Sequence, residues 1–161
     1  MPCSEGARIV RRRDHRRRLG LEHGRPRGEA VETGKVIDRA ALKDMFVTAY
    51  VDEAECADAL ARKLLGRAPA QVMLLHETDV TTMFLGDLVK SLRANGWKIV
   101  GPDTSYRDPI YRIKTKEPPA EGPLLTELAR DRGIDTPTTC RWNDDAFANS
   151  EFDRRVLHRP S

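Results

Sequence analysis

The sequence contains few of the residues from which metal sites and disulfide frameworks are built. Four histidines and three cysteines occur among its 161 residues. No two cysteines form a CxxC pair, which excludes a zinc knuckle and a thioredoxin-type redox motif. Cys3, Cys56 and Cys140 lie far apart, so we expect idle or buried thiols, although a bridge between Cys56 and Cys140 stays open.

Long apolar runs are also absent. The longest strongly apolar run is four residues, 72–75, whereas a membrane-spanning helix needs about 20. The first residues, MPCSEGARIVRRRDHRRR, carry charge where a secretory signal has an apolar stretch. We therefore expect no membrane partner and a cytoplasmic location for the chain as written.

Charge is distributed unevenly along the chain. The net charge is +3, yet residues 1–28 hold nine Arg and no Lys against three acidic residues, so this segment is +6 and the remainder is −3. Few apolar residues occur before position 35, too few to offset a backbone ordering cost of about 1–2 kcal/mol per residue. We predict a disordered Arg-rich arm at 1–34 and a folded domain at 35–161.

Apolar periodicity predicts an α/β fold. Apolar residues at spacings of three and four indicate a helix over 38–65, with Gly66 at its C-cap and Pro69 preventing its resumption. A short apolar strand at 72–75, a helix at 81–95 and a strand at 97–100 follow, so a parallel pair with a right-handed crossover is expected. Further predicted elements are a helical turn at 103–107, a helix at 124–132 and a last helix from Asn143 or Asp144 to 157.

Three short pieces after residue 71 occur in a recognisable order. They are LLH at 74–76, GWKIV at 96–100 and DPIY at 108–111. In this order and spacing they resemble the closing segment of NodB-type polysaccharide deacetylases, and the resemblance extends over roughly residues 36–157. It implies that residues 35–161 are the C-terminal part of a polysaccharide deacetylase-like domain. The implied fold is a partial deformed (β/α) barrel.

His76 is the candidate catalytic residue. It follows a predicted parallel strand, and catalytic residues of α/β folds collect at the carboxyl ends of such strands. Histidine can donate a proton near neutral pH. The resemblance implies that His76 is the general acid for the departing amine or alkoxide of an acetylated polysaccharide, the expected partner. The neighbouring Glu77 and Asp79 either orient His76 or cap the next helix, and capping is the role we expect for Asp79.

The other motifs of this family are not found in the sequence. These are a Thr/Ser-Phe-Asp-Asp motif, a His-x-x-x-His box, an Arg-x-Pro motif and an Asp/Trp motif. The remaining histidines, His15, His23 and His158, do not have the spacing of the box. A catalytic zinc needs three protein ligands and an open water position, so we assign no metal ligand and no cofactor to this chain. For the family, the resemblance implies zinc or another divalent metal.

We therefore expect a truncated and inactive product that lacks an N-terminal catalytic half. An enzyme completed in trans, by a second chain, is a further hypothesis.

Two other classes of function stay open. A glycan-binding or scaffold module would use aromatic platforms, for which Trp97, Tyr106, Tyr111 and Trp142 are candidates, although packing in or beside the core is the interpretation we favour. The Arg-rich arm could contact the phosphates of nucleic acid, but it has no aromatics for base stacking, so we do not expect nucleic acid as a partner.

Overall fold

The computed structural model describes residues 8–11, 37–116, 124–134 and 141–159. Predictions about His15, His23, Cys3, Cys140 and the arm apart from residues 8–11 lie outside this part of the chain. The elements in chain order are β1 Arg8–Arg11, α1 Arg39–Leu65, β2 Ala70–Met73, α2 Asp79–Ala94, β3 Lys98–Ile99, α3 Pro102–Ser105, α4 Leu124–Asp131 and α5 Asp145–Arg155, with 3₁₀ turns at Pro109–Arg112 and Arg141–Asn143.

Helix α1 begins and ends where the sequence predicts. Asp38 is its N-cap, and one side-chain oxygen accepts from the backbone N–H groups of Ala40 and Ala41, each at 3.0 Å. Gly66 ends the helix in the left-handed region, at φ 68°, where glycine has no steric penalty. The helix runs without interruption for 27 residues. Neither it nor any other helix in the described ranges combines the length and apolar character needed to cross a bilayer.

The three strands form a parallel sheet in the order β2-β1-β3. Val10 pairs in register with Val72, and Ile9 pairs with Ile99 on the other side. The parallel sheet is compatible with the predicted α/β class, although the described residues are mostly helical and the strands are few and short. The expected direct pairing of the strands near 72–75 and 97–100 is wrong because β1 lies between them. Among the described residues the sheet is open, with no closed barrel.

The central strand is the main departure from the sequence prediction. Residues 8–11 were expected in the disordered arm, but they form β1. The run RIVR contains the β-branched residues Ile9 and Val10, which favour strands. Its backbone groups find ladder partners on both sides, and pairing on two sides stabilises a strand that is too short to be recognised from its own sequence.

The core lies mainly between α1, α2 and α5. The ring centroids of Phe46 on α1 and Phe84 on α2 are 6.2 Å apart, and Phe46 also contacts Tyr50 edge-on at 4.9 Å. Geometry of this kind adds roughly 0.5–1.5 kcal/mol per aromatic pair to the gain from burial. The buried cluster also includes Leu42, Met45, Ala49, Ala54, Val80, Leu88, Leu92, Trp97, Trp142, Ala148, Phe152 and Val156.

Cys56, on α1, is disulfide-bonded. The expectation of idle thiols is therefore wrong for this cysteine. A disulfide restricts the unfolded chain and so favours the folded state, by an amount that depends on the length of the loop it closes.

Candidate functional site

His76 lies in the segment that follows the carboxyl end of β2. Strand β2 ends at Met73, and residues 74–78 lead directly into α2. The side chain of His76 is half-buried, and its Nε2 atom is shielded from solvent. Met73 and Leu75, which precede His76 in the sequence, pack against the core cluster. His76 therefore lies beyond a parallel strand, as predicted, although this strand ends at Met73 and not at the predicted residue 75.

The backbone around His76 is fixed by the start of α2. The carbonyl oxygen of His76 accepts from the N–H of Thr78 at 2.9 Å. Thr78 is the N-cap of α2, and its hydroxyl oxygen accepts from the N–H of Thr81 at 3.1 Å. An N-cap hydrogen bond stabilises a helix by about 1 kcal/mol. The backbone directly after His76 is therefore fixed by the start of α2.

The two acidic neighbours of His76 have different positions from those expected. Thr78 caps α2, so the capping role predicted for Asp79 is wrong. Asp79 lies instead in the first turn of the helix, where a negative charge interacts favourably with the helix dipole. Both Glu77 and Asp79 are exposed, and each of them, like His76, takes part in an interaction.

Within the described ranges, no three or more His, Cys, Asp or Glu side chains are grouped so that they could hold a metal ion. His76 therefore does not form a metal-ligand set with Glu77 and Asp79. We assign no metal to this site.

The two tryptophans are core residues. Trp97 is 4% exposed and Trp142 is 1% exposed. The indole N–H of Trp97 donates to Glu55 at 2.7 Å, and that of Trp142 donates to Asp52 at 2.8 Å. Neither ring can serve as a stacking platform for a sugar without unpacking the core. Packing, the favoured interpretation in the sequence, is therefore confirmed for both.

The tyrosines form an edge-on pair whose centroids are 5.1 Å apart. Tyr106 is 43% exposed, whereas Tyr111 is half-buried and donates its hydroxyl to the carbonyl oxygen of Ala70 at 3.1 Å. Burial raises the pKa of Tyr111 to about 12, so the hydroxyl keeps its proton and remains a donor. Of the four candidate aromatics, Tyr106 is thus the one with an accessible ring.

The DPIY segment acts as a clamp between the end of α1 and the start of β2. The carboxylate of Asp108 accepts from both terminal nitrogens of Arg67, at 2.6 and 2.9 Å. It also accepts from the backbone N–H groups of Ala70 at 3.1 Å and Ile110 at 2.9 Å. Together with Tyr111, it occupies both backbone polar groups of Ala70. This role was not predicted, since Arg67 and Asp108 are 41 positions apart in the sequence.

These contacts change the acidity of Asp108. The hydrogen bonds from Arg67 are the largest cause, burial opposes them, and the N–H groups of Ile110 and Ala70 add to them, so the pKa falls from 3.8 to about 2. A carboxylate with four donors around it is stabilised in its charged form.

Acid should therefore weaken the fold in a defined pH range. The pKa of Asp108 is lower in the folded than in the unfolded protein. Its contribution to the free energy of unfolding is therefore fully present above pH 3.8 and is lost as the pH falls towards 2. The loss should be at most about 2 kcal/mol. Urea unfolding of the wild type and of Asp108→Asn at pH 5 and pH 2.5 measures it, and the difference between the two proteins should shrink at the lower pH. A constant difference would contradict the assignment.

Comparisons with protein-family models, with curated proteins and with solved structures give no match for this chain. In its described residues, the chain is a mostly helical protein with a short three-stranded parallel sheet and a histidine beyond one of the strands. The family resemblance noted in the sequence therefore enters the functional interpretation as a proposal.

Proposed function

We propose that this chain is a polysaccharide deacetylase-like protein, related to enzymes that hydrolyse N- or O-acetyl groups on carbohydrates with the help of a metal, and that it is catalytically incomplete by itself. The observation that supports this proposal is the position of His76, half-buried beyond the carboxyl end of β2. In this proposal the parallel strands belong to a partial deformed (β/α) barrel.

His76 supplies the proton donor in this scheme. A neutral sugar amine leaves far more readily than its anion, so an imidazolium placed beside the scissile bond lowers the barrier to leaving-group departure. Partial burial excludes some of the water that would compete for that proton. The residues that the structure describes around His76 do not group into a metal site, so we derive no step through a metal. A second chain or a missing N-terminal half would have to activate the water.

The test combines sugar binding with acetate release on the purified chain. We expect an N-acetylated chitooligosaccharide to shift the imidazole C–H signals of His76 in proton NMR spectra. Acetate release should stay at the buffer level, with or without added zinc. Should release be detectable, His76→Ala should reduce it by about 100-fold, the usual contribution of a general acid.

His158→Ala is the matched control, because His158 is exposed and its imidazole contacts Asp38 rather than the segment after β2. It should leave the sugar-induced shifts unchanged. Acetate release that both variants share with the wild type, or an absence of any sugar-induced shift at His76, would remove the support for this function.

A glycan-binding module without catalysis is the second candidate, and the exposed ring of Tyr106 favours it. In that case sugar binding should survive His76→Ala and be lost in Tyr106→Ala. An NMR titration followed by backbone amide signals, which every variant retains, therefore distinguishes the two candidates.

A further inference from the structure

Basic side chains are concentrated around the C-terminal end of α1. The segments 58–67, 103–116 and 124–134 contain nine Lys and Arg residues against five Asp and Glu residues. The whole stretch from residue 29 onward carries a net negative charge, so this region differs in sign from the body of the protein.

Specific contacts bring these three segments to one place. Arg67, just beyond α1, binds Asp108. Arg132, just beyond α4, donates to the carbonyl oxygen of Leu64 near the end of α1. Lys116 binds Asp131 on α4 through its backbone N–H at 2.8 Å. The loop 107–116 therefore runs between the end of α1 and the end of α4, and the three segments are neighbours in the fold.

Most carboxylates of this region are already occupied. Asp58 pairs with Arg62, Asp108 with Arg67 and Asp131 with the N–H of Lys116. Glu127 is buried, which leaves Asp103 as the exposed acid of these segments. Among the described residues, five exposed cations of these segments have neither an ion-pair partner nor a side-chain hydrogen bond, and we call them the basic surface: Lys63, Arg107, Arg112, Lys114 and Arg130.

Helix electrostatics account for part of this surface. Lys63 and Arg130 lie in the last turns of α1 and α4, where cations are favoured by the helix dipole. Arg107 and Lys114 lie outside any helix of eight or more residues, so the dipole of a long helix does not explain them. The concentration of charge therefore exceeds what stabilising the helix ends requires.

The chemistry of the basic surface selects a ligand rich in acceptors. Its free groups are donors, while a neutral sugar chain would also need acceptors for its hydroxyl protons. Arg107 and Arg112 present planar guanidinium groups, which match phosphate oxygens with two parallel hydrogen bonds. Tyr106, next to Arg107, adds an accessible aromatic ring. Cations beside an aromatic platform are the combination that binds single-stranded nucleic acids.

We propose that the basic surface, together with Tyr106, binds single-stranded nucleic acid through its phosphates and one stacked base. This function is independent of the proposed role of His76. The clamp contacts Ala70, the first residue of β2, whereas His76 lies beyond the carboxyl end of that strand. Binding is not specific for sequence, since phosphates and aromatic stacking do not distinguish bases.

Fluorescence anisotropy of the full chain with a labelled oligothymidylate of about 20 nucleotides, several times the smallest sites of single-strand binders, tests the proposal. The variant Arg107→Gln/Arg112→Gln removes two cations of the basic surface. It should weaken binding about tenfold and reduce the slope of log affinity against log salt by about 1.4, or about 0.7 for each lost phosphate contact. Circular dichroism verifies that the variant is folded.

The matched control is Lys43→Gln/Arg159→Gln, which makes the same change in net charge near the N-terminal end of α1. It should change the affinity less than twofold. The arginines of residues 1–28 are present in every protein compared, so their contribution cancels. If the two double variants bind equally, the basic surface is not the binding site and the proposal fails.

Variants at Tyr106 distinguish the binding of nucleic acid from the binding of other polyanions. Tyr106→Ala should weaken oligothymidylate binding about tenfold through lost stacking, while Tyr106→Phe, which keeps the ring, should bind like the wild type. Heparin is the competing polyanion. Binding of heparin in preference to the oligonucleotide, or indifference of oligonucleotide binding to Tyr106→Ala, would overturn the assignment to single strands.

Discussion

Replacing Trp142 with alanine should lower the free energy of unfolding by about 3–5 kcal/mol, the range for removal of a large buried aromatic side chain. Trp142 is 1% exposed and contacts Phe147 edge-on with centroids 5.1 Å apart. Its indole N–H reaches Asp52 on α1 at 2.8 Å. The side chain thus joins the 3₁₀ turn at Arg141–Asn143 to both α1 and α5, and its loss leaves a cavity where three elements meet.

Urea unfolding followed by far-ultraviolet circular dichroism measures the effect without depending on tryptophan fluorescence. Trp142→Phe should cost less, because most of the ring volume remains and the hydrogen bond to Asp52 is the main loss. Tyr106→Ala serves as the aromatic control at an exposed position and should cost no more than about 1 kcal/mol, because the edge-on contact with Tyr111 is the main interaction that it removes. A loss for Trp142→Ala no larger than that of Tyr106→Ala would mean that Trp142 is not a core residue.

Asp108→Ala should be the second most damaging substitution, with a loss of about 3 kcal/mol. Its carboxylate serves two donors of Arg67 and the backbone N–H groups of Ala70 and Ile110. Arg67 is partly exposed and can turn to water, but the N–H of Ala70 lies at a part-buried position. Leaving such a donor without an acceptor costs about 1–3 kcal/mol in addition to the lost charged hydrogen bonds.

Equilibrium unfolding in urea at pH 7 gives the value for Asp108→Ala. Two further variants serve as comparisons. Asp103→Ala removes an exposed carboxylate five positions away and should leave the free energy of unfolding nearly unchanged. Tyr111→Phe removes a single hydrogen bond to Ala70 and should lower the free energy of unfolding by about 1 kcal/mol. Equal effects of Asp103→Ala and Asp108→Ala would show that the clamp contributes nothing.

Features with local causes were predictable from the sequence. The ends of α1 follow from an aspartate that can accept backbone N–H groups and from a glycine that can take a positive φ. The same holds for the start of α5, where Asp144 accepts from Ala146 and Phe147. In each case the side chain and the groups it binds lie within a few residues, so the pattern contains the whole interaction.

Features that depend on distant partners were not predictable. The strand character of residues 8–11 depends on pairing with segments about 60 and 90 positions away. The clamp joins residues 41 positions apart. The choice of Thr78 over Asp79 as the N-cap of α2 depends on which residue takes the extended conformation, at φ −114° and ψ 162°, and both residue types can fill that role.

The position of His76 beyond a strand was predictable, but its surroundings were not. An apolar run followed by a histidine indicates the end of a buried strand. Its partners across the sheet depend on which strands lie side by side, and the sequence indicated β3 where the structure has β1.

The clamp at Ala70 also limits where a further strand can be added to the sheet. Strand β2 pairs with β1 on one side, and on its other side both polar groups of Ala70 are taken by the side chains of Asp108 and Tyr111. An incoming chain cannot hydrogen-bond to Ala70 until these side chains are displaced, so self-association by strand addition is obstructed at this border. Lateral extension, whether by another copy or by a complementary polypeptide, is consequently directed to the β3 side.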